Sequence, residues 1–347
     1  MNESATKESY FWADAMRVVA TFTVVMIHVA DPVAKKLAAT NNHEWLTALF
    51  FDSFRFCVPF FLMISGALLL GKPDSLPDFF RKRMSRILPP FLLWSLVYII
   101  HKLISQMKQT PVDAGDIAAF VWSNIQNPAY YHLWFMYVLI GLYLFYPILS
   151  RFARHAKNSE LLYFLGIWFA LQFFEFPVFR EVLPAFELRY FTGAIGYPVL
   201  GYYLARNDFG VKSRLYGGLL FVSSLVFTFL ISWHYSTNGI TRAVDETFFM
   251  INTPNVVLMS TGLFLWIREY KPTNLKVIEY ASRFGKYSYG IYLAHVFILM
   301  KLHSNGLRGS LIHPAIGVPM VTVICFAMTF GLIWLLHRVP FLKKIAG

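Results

Sequence analysis

Apolar runs of about 18 residues or more recur along the whole of this 347-residue sequence, and they restrict it to folds that place most of the chain in hydrocarbon. Inside a bilayer the backbone must satisfy its own polar groups, so such runs are expected to be helices. Composition agrees. Hydrophobic residues make up 57% of the chain and charged residues only 14%, too few to keep a soluble domain of this size solvated. The expected fold class is an all-α integral membrane protein of about ten transmembrane helices. The spans fall near 12–30, 46–70, 87–104, 132–149, 160–177, 190–205, 215–233, 249–267, 287–303 and 315–336. Residues 1–347 read as a single polytopic domain with no appended soluble domain. Cys57 and Cys325 both lie in apolar segments, so neither a disulfide nor a cysteine metal site is expected.

The net charge of +12 is read first as topology rather than as nucleic-acid binding. With both termini in the cytoplasm, the inner segments hold most of the lysines and arginines. These are Lys7, the group from Lys72 to Arg86, Arg151 to Lys157, Arg206 to Arg214, Arg268 to Lys286, and Arg338 to Lys344. The outer loops and their margins hold fewer, among them Lys35, Lys36, Lys102, Arg189 and Arg242. Glu3, Glu8 and Asp14, with a histidine inside the first run, argue against a cleavable signal peptide.

Ionisable groups at membrane depth are costly, so each one raises a functional question. The first span reads RVVATFTVVMIHVAD, residues 17–31. On a helix Arg17 and His28 lie within about 20° of one face and about 17 Å apart, with Thr21 between them and Asp14 and Asp31 at the edge of the stripe. A packing histidine bonded to a neighbouring helix is the plainer alternative. The second span contains DSFRFCVPFFLMISG, in which Asp52 and Arg55 are one turn apart and expected to pair. Ser65 and Gly66 suit close helix contact. The fourth span opens YYHLWF, placing His132 in an aromatic belt, and the ninth reads SYGIYLAHVF, which carries Tyr292 and sets His295 near mid-membrane. Between the second and third spans RKRMSRILPP, residues 81–90, is expected to be an inner loop. Lys82, Arg83 and Arg86 can hold a phosphate-bearing ligand there, or anchor the loop to anionic lipid. No Walker loop, dinucleotide fingerprint, nucleophile elbow or HExxH motif appears.

In order along the chain, RVVATFTVVMIH, FRFCVPFFLMISG, RKRMSRILPP, HLWFMYVLIGLYLFYPIL and SYGIYLAH resemble the membrane-bound acyltransferase 3 family. The likeness covers essentially the whole chain and is greatest to the short bacterial members that O-acetylate cell-surface glycans. It implies an inner-membrane enzyme that moves an acetyl group from acetyl-CoA to a hydroxyl of a cell-surface or lipid-linked glycan, with no metal. It also implies a catalytic role for His28, as general base or transient acyl carrier, a donor-binding or structural role for Arg17, and coenzyme A phosphate contacts at Arg83 and Arg86, with Lys82 beside them.

Asp31, one turn from His28, is expected either to orient it or to cap the interface. Arg55, His132, His295 and Tyr292 would hold the acceptor or stabilise an oxyanion. Either this chain completes transfer alone, or a separate extra-cytoplasmic transferase partner does so. A transporter or exporter of a glycan or acyl species, with the histidines as proton relays, is the rival from another class.

Overall fold

The computed structural model describes residues 11–40, 42–108, 114–180, 193–238 and 244–347, and among them every regular element is helical. Residues 1–10, with Lys7, Glu3 and Glu8, lie outside the described residues, as do Arg189, Arg242 and the start of the expected span 190–205. A helix meets each of the ten expected spans. Seven stretches are long and apolar enough to cross a membrane: Phe11–Ala39, Trp45–Leu69, Leu76–Met107, Tyr131–His155, Ser213–Asn238, Thr247–Arg268 and Pro314–Leu336. The protein is thus a multi-pass membrane protein.

The first span is α1 (Phe11–Ala39), begun by Asp14 in its first turn and closed by Lys36 in its last, each matching the helix dipole. The second is broken into α2 (Trp45–Asp52) and α3 (Cys57–Leu69). At the break Arg55 Nε donates to the Asp52 carbonyl at 2.7 Å, and its guanidinium meets the Asp52 carboxylate at 2.5 Å. The pairing expected from spacing is formed, and it caps a helix end inside the hydrophobic slab.

The third span departs from expectation. RKRMSRILPP is not a loop but part of the 32-residue α4 (Leu76–Met107). Ser75 caps its N-terminus by accepting from the Asp78 amide at 3.3 Å, and Pro77 sits in its first turn, so helix starts well before the apolar run does. The cations therefore sit on a rigid helical face.

The chain continues through α5 (Ala114–Gln126), α6 (Trp134–His155) and α7 (Asn158–Gln172), then α8 (Gly196–Arg206), α9 (Ser213–Asn238) and α10 (Pro254–Arg268). It ends with α11 (Leu275–Gly285), α12 (Ser288–Ser304) and α13 (Pro314–Leu336). The expected spans met by α7, α8 and α12 are shorter helices of 15, 11 and 17 residues.

α1 is the hub, packed against α2, α3, α11, α12 and α13. α3 and α8 cross at backbone contact: a Cβ on Gly66 would fall 1.9 Å from the Pro198 carbonyl oxygen, and one on Gly201 2.1 Å from that of Met63. Only glycine allows this approach, as in small-residue crossings within membranes. The tight crossing fixes α3, one wall of the site.

Candidate active site

Helices α1, α3, α4, α6, α11 and α12 line a cavity of about 500 Å³. One end collects five cations, Arg17 from α1, Lys72 after α3, Arg83 and Arg86 from α4, and Lys286 before α12. A second cavity of about 420 Å³ adjoins it through Arg17, Leu68 and Lys72. The cations differ in how they are held. Arg17 is bonded to Asp14 at 2.6 Å. Arg83 is largely buried, its Nε has no partner among the described residues, and Asp74 lies 4.0 Å away. Lys82 instead bonds Asp74 at 2.8 Å and does not line the cavity. That bond, with Arg83 and Lys72 nearby, holds the Asp74 carboxyl below its ordinary range.

From the cationic end the lining runs inward along each helix. Leu68, Ser65 and Phe61 line it on α3, Tyr143, Leu139 and Phe135 on α6, and Tyr289 and Tyr292 on α12. The short turn Tyr131–Leu133 that leads into α6, and the next turn of α12, each carry a histidine. His132 precedes Phe135 by three residues and His295 follows Tyr292 by three, so both lie about one turn beyond the cavity's inner end. His28 follows Arg17 by eleven residues on α1, about 17 Å along its axis.

The three imidazoles converge. Ring centroids are 5.3 Å apart for His28 and His295, which are stacked, 5.2 Å for His132 and His295, and 6.4 Å for His28 and His132. His132 and His295 are buried, while His28 keeps some exposure and packs edge-on against Tyr131 at 5.1 Å. Backbone carbonyls set two of the rings. His295 Nδ1 donates to the Tyr292 carbonyl at 2.6 Å, and His132 Nε2 to the Leu293 carbonyl at 3.3 Å. A carbonyl only accepts, so in the neutral rings His295 Nε2 and His132 Nδ1 carry lone pairs. Neither nitrogen has a partner among the described residues.

α12 is opened locally to allow this. The Tyr98 hydroxyl donates to the Leu293 carbonyl at 2.8 Å and accepts from the Phe297 amide at 3.1 Å. Those two groups bond each other in a regular helix, so Tyr98 wedges α12 beside His295.

Of the other candidate residues, Asp31 and Arg55 are engaged by other partners, while Tyr292 belongs to the cluster. Asp31 does not hydrogen-bond His28. It pairs with Lys35 at 2.9 Å, and Lys35 also bridges to Glu246. Arg55 pairs with Asp52 and lies 4.2 Å over the Phe249 ring. Tyr292 is central: its hydroxyl donates to the His132 carbonyl at 2.6 Å while its own carbonyl accepts from His295. Sequence reasoning missed Phe61, Phe135, Tyr143 and Tyr98, whose only signal was belonging to apolar, aromatic-rich helices. Lys72 and Lys286 were visible only as inner-segment charges. Among the described residues no group of three or more His, Cys, Asp or Glu side chains is placed to hold a metal ion.

Fold and site define a multi-pass membrane protein in which a cation-lined cavity leads toward buried imidazoles. A family model described as an acyltransferase domain matches residues 10–338, and the chain belongs to that family, acyltransferase 3. Comparison with curated proteins and with solved structures returns no match in either.

Proposed function

We propose that the protein is an O-acetyltransferase that takes acetyl from cytoplasmic acetyl-CoA and delivers it to a hydroxyl of a cell-surface or lipid-linked glycan. The observation that carries the reading is the cavity itself, with five cations at one end and the histidine cluster one turn beyond the other. The pyrophosphate and 3′-phosphate of coenzyme A fit Arg17, Lys72, Arg83, Arg86 and Lys286, whose guanidinium forks and ammonium groups supply charge-assisted hydrogen bonds. The pantetheine arm then lies along α1, with the thioester directed at His28.

His28 acts as general base. Its imidazole takes the proton of the acceptor hydroxyl as the oxygen attacks the thioester carbonyl carbon. The tetrahedral intermediate collapses with cleavage of the C–S bond, and the imidazolium returns the proton to the coenzyme A sulfur. The carbonyl-fixed tautomers of His132 and His295 present lone pairs. These nitrogens suit acceptance from glycan hydroxyls, whereas an oxyanion needs donors. Surrounding aromatics keep water from the thioester.

The test is acetyl transfer and coenzyme A release from radiolabelled acetyl-CoA by the purified full chain in liposomes supplied with lipid-linked glycan. The parent is expected to turn over and His28→Ala to lose turnover while still binding coenzyme A. Radiolabel retained on the denatured parent would assign His28 the acyl-carrier role in place of the base. Glycan crossing the membrane with no consumption of acetyl-CoA would replace catalysis with export.

A further inference from the structure

Between the cation-lined cavity and the histidines stands a closure made of three rings. Phe61 and Phe135 are 5.8 Å apart between centroids, Phe135 and Tyr292 5.5 Å, and Phe61 and Tyr292 6.4 Å. All three line the cavity's inner end, and none of the three histidines does. We infer that Phe61, Phe135 and Tyr292 form a size filter that passes an acetyl group toward the histidine cluster and holds back bulkier acyl groups; this rests on the acyl-CoA reading above.

The direction of entry makes the rings selective. Phosphates retained at Arg83 and its neighbours leave the acyl group as the leading end of the arm, so it meets the rings before the thioester can reach His28. Tyr292 cannot swing aside freely, because its hydroxyl is bonded to the His132 carbonyl. Phe135 is buried against it in an edge-on contact. Phe61 is only half-buried, so the passage opens on its side and is as wide as its rotation permits. Beyond the rings Tyr98, Leu133, His132 and His295 are all buried, so the space past the closure is bounded by side chains held in place by packing.

The filter is tested on the full chain in liposomes by coenzyme A release from acetyl-, butyryl- and isobutyryl-CoA, comparing the parent with Phe61→Ala, Phe135→Ala, Phe61→Leu and Phe135→Leu. The parent is expected to favour acetyl-CoA. Phe61→Ala should raise the isobutyryl-to-acetyl ratio of kcat/KM by about tenfold or more, the usual scale for one or two methyl groups in an apolar passage. Phe135→Ala should act in the same direction. The leucine variants keep the core filled and should show a smaller rise, and they decide the matter should an alanine variant fail to fold. A ratio that stays unchanged while acetyl-CoA is still consumed overturns the filter and leaves acyl transfer intact. A parent that uses isobutyryl-CoA as readily as acetyl-CoA does the same. A parent that consumes no acyl-CoA overturns both.

Discussion

Arg83 and Arg86 sit one turn apart on α4 and both line the cavity, yet their surroundings assign them unequal shares of donor affinity. The Arg83 side chain is 15% exposed, its Nε has no hydrogen-bond partner among the described residues, and its guanidinium is only loosely paired with Asp74 at 4.0 Å. It is a largely buried cation with a donor left to give. A hydrogen bond from such a group to a phosphate is worth about 1.5–3 kcal/mol, which at about 1.4 kcal/mol per decade converts to roughly 10- to 150-fold in affinity. Arg86 is exposed, and an exposed ion pair contributes at most about 1 kcal/mol, or roughly fivefold. Lys82, already held by Asp74, should contribute still less. Arg83→Ala is therefore expected to raise the KM for acetyl-CoA by one to two orders of magnitude with little change in kcat, while Arg86→Ala raises it about fivefold or less and Lys82→Ala hardly at all. Initial rates of coenzyme A release in proteoliposomes at low and high salt measure this. Salt should erase the Arg86 effect and spare most of the Arg83 effect, because buried charges are screened less. An Arg86→Ala defect equal to that of Arg83→Ala refutes the reasoning, as does an Arg83→Ala loss confined to kcat.

Two further outcomes follow from the same contacts. Asp31 is engaged by Lys35 rather than by His28, so Asp31→Asn should lower turnover less than about fivefold, whereas the orienting carboxylate of a Ser-His-Asp triad is worth roughly 10⁴; a thousandfold loss would restore it as the partner of His28. In Gly66→Ala the new methyl would start 1.9 Å from the Pro198 oxygen against an ordinary contact of 3.4 Å or more. Helices α3 and α8 must then part, at a cost of about 3 kcal/mol, and the melting temperature in detergent should fall by roughly 4 °C; unchanged melting would show that the crossing is looser than described.

Much of the architecture was legible locally. Each of the ten apolar segments meets a helix, since burial of a continuous apolar run leaves the backbone no other way to satisfy itself. The Asp52–Arg55 pair was legible for the same reason, being a contact within one turn. The start of α4 was misplaced because hydropathy marks where a helix enters hydrocarbon, not where it begins, and Ser75 with Pro77 sets that beginning among charged residues. Lys82 and Asp31 were assigned site roles by proximity in sequence. Nearby charges, Asp74 and Lys35, claim them first.

By itself the sequence determined a helical membrane chain and the stripe on α1 that carries Arg17 and His28, because periodicity and hydropathy act over a turn or a span. Only the tertiary structure decided that His132 and His295 stand beside His28, that Lys72 and Lys286 join Arg83 at one mouth, and that Phe61, Phe135 and Tyr292 close the way between them. Those residues come from segments far apart in the sequence, and contacts so distant are set by which helix faces can interlock. Here the glycine crossing of α3 on α8 and the Tyr98 wedge in α12 hold them in place.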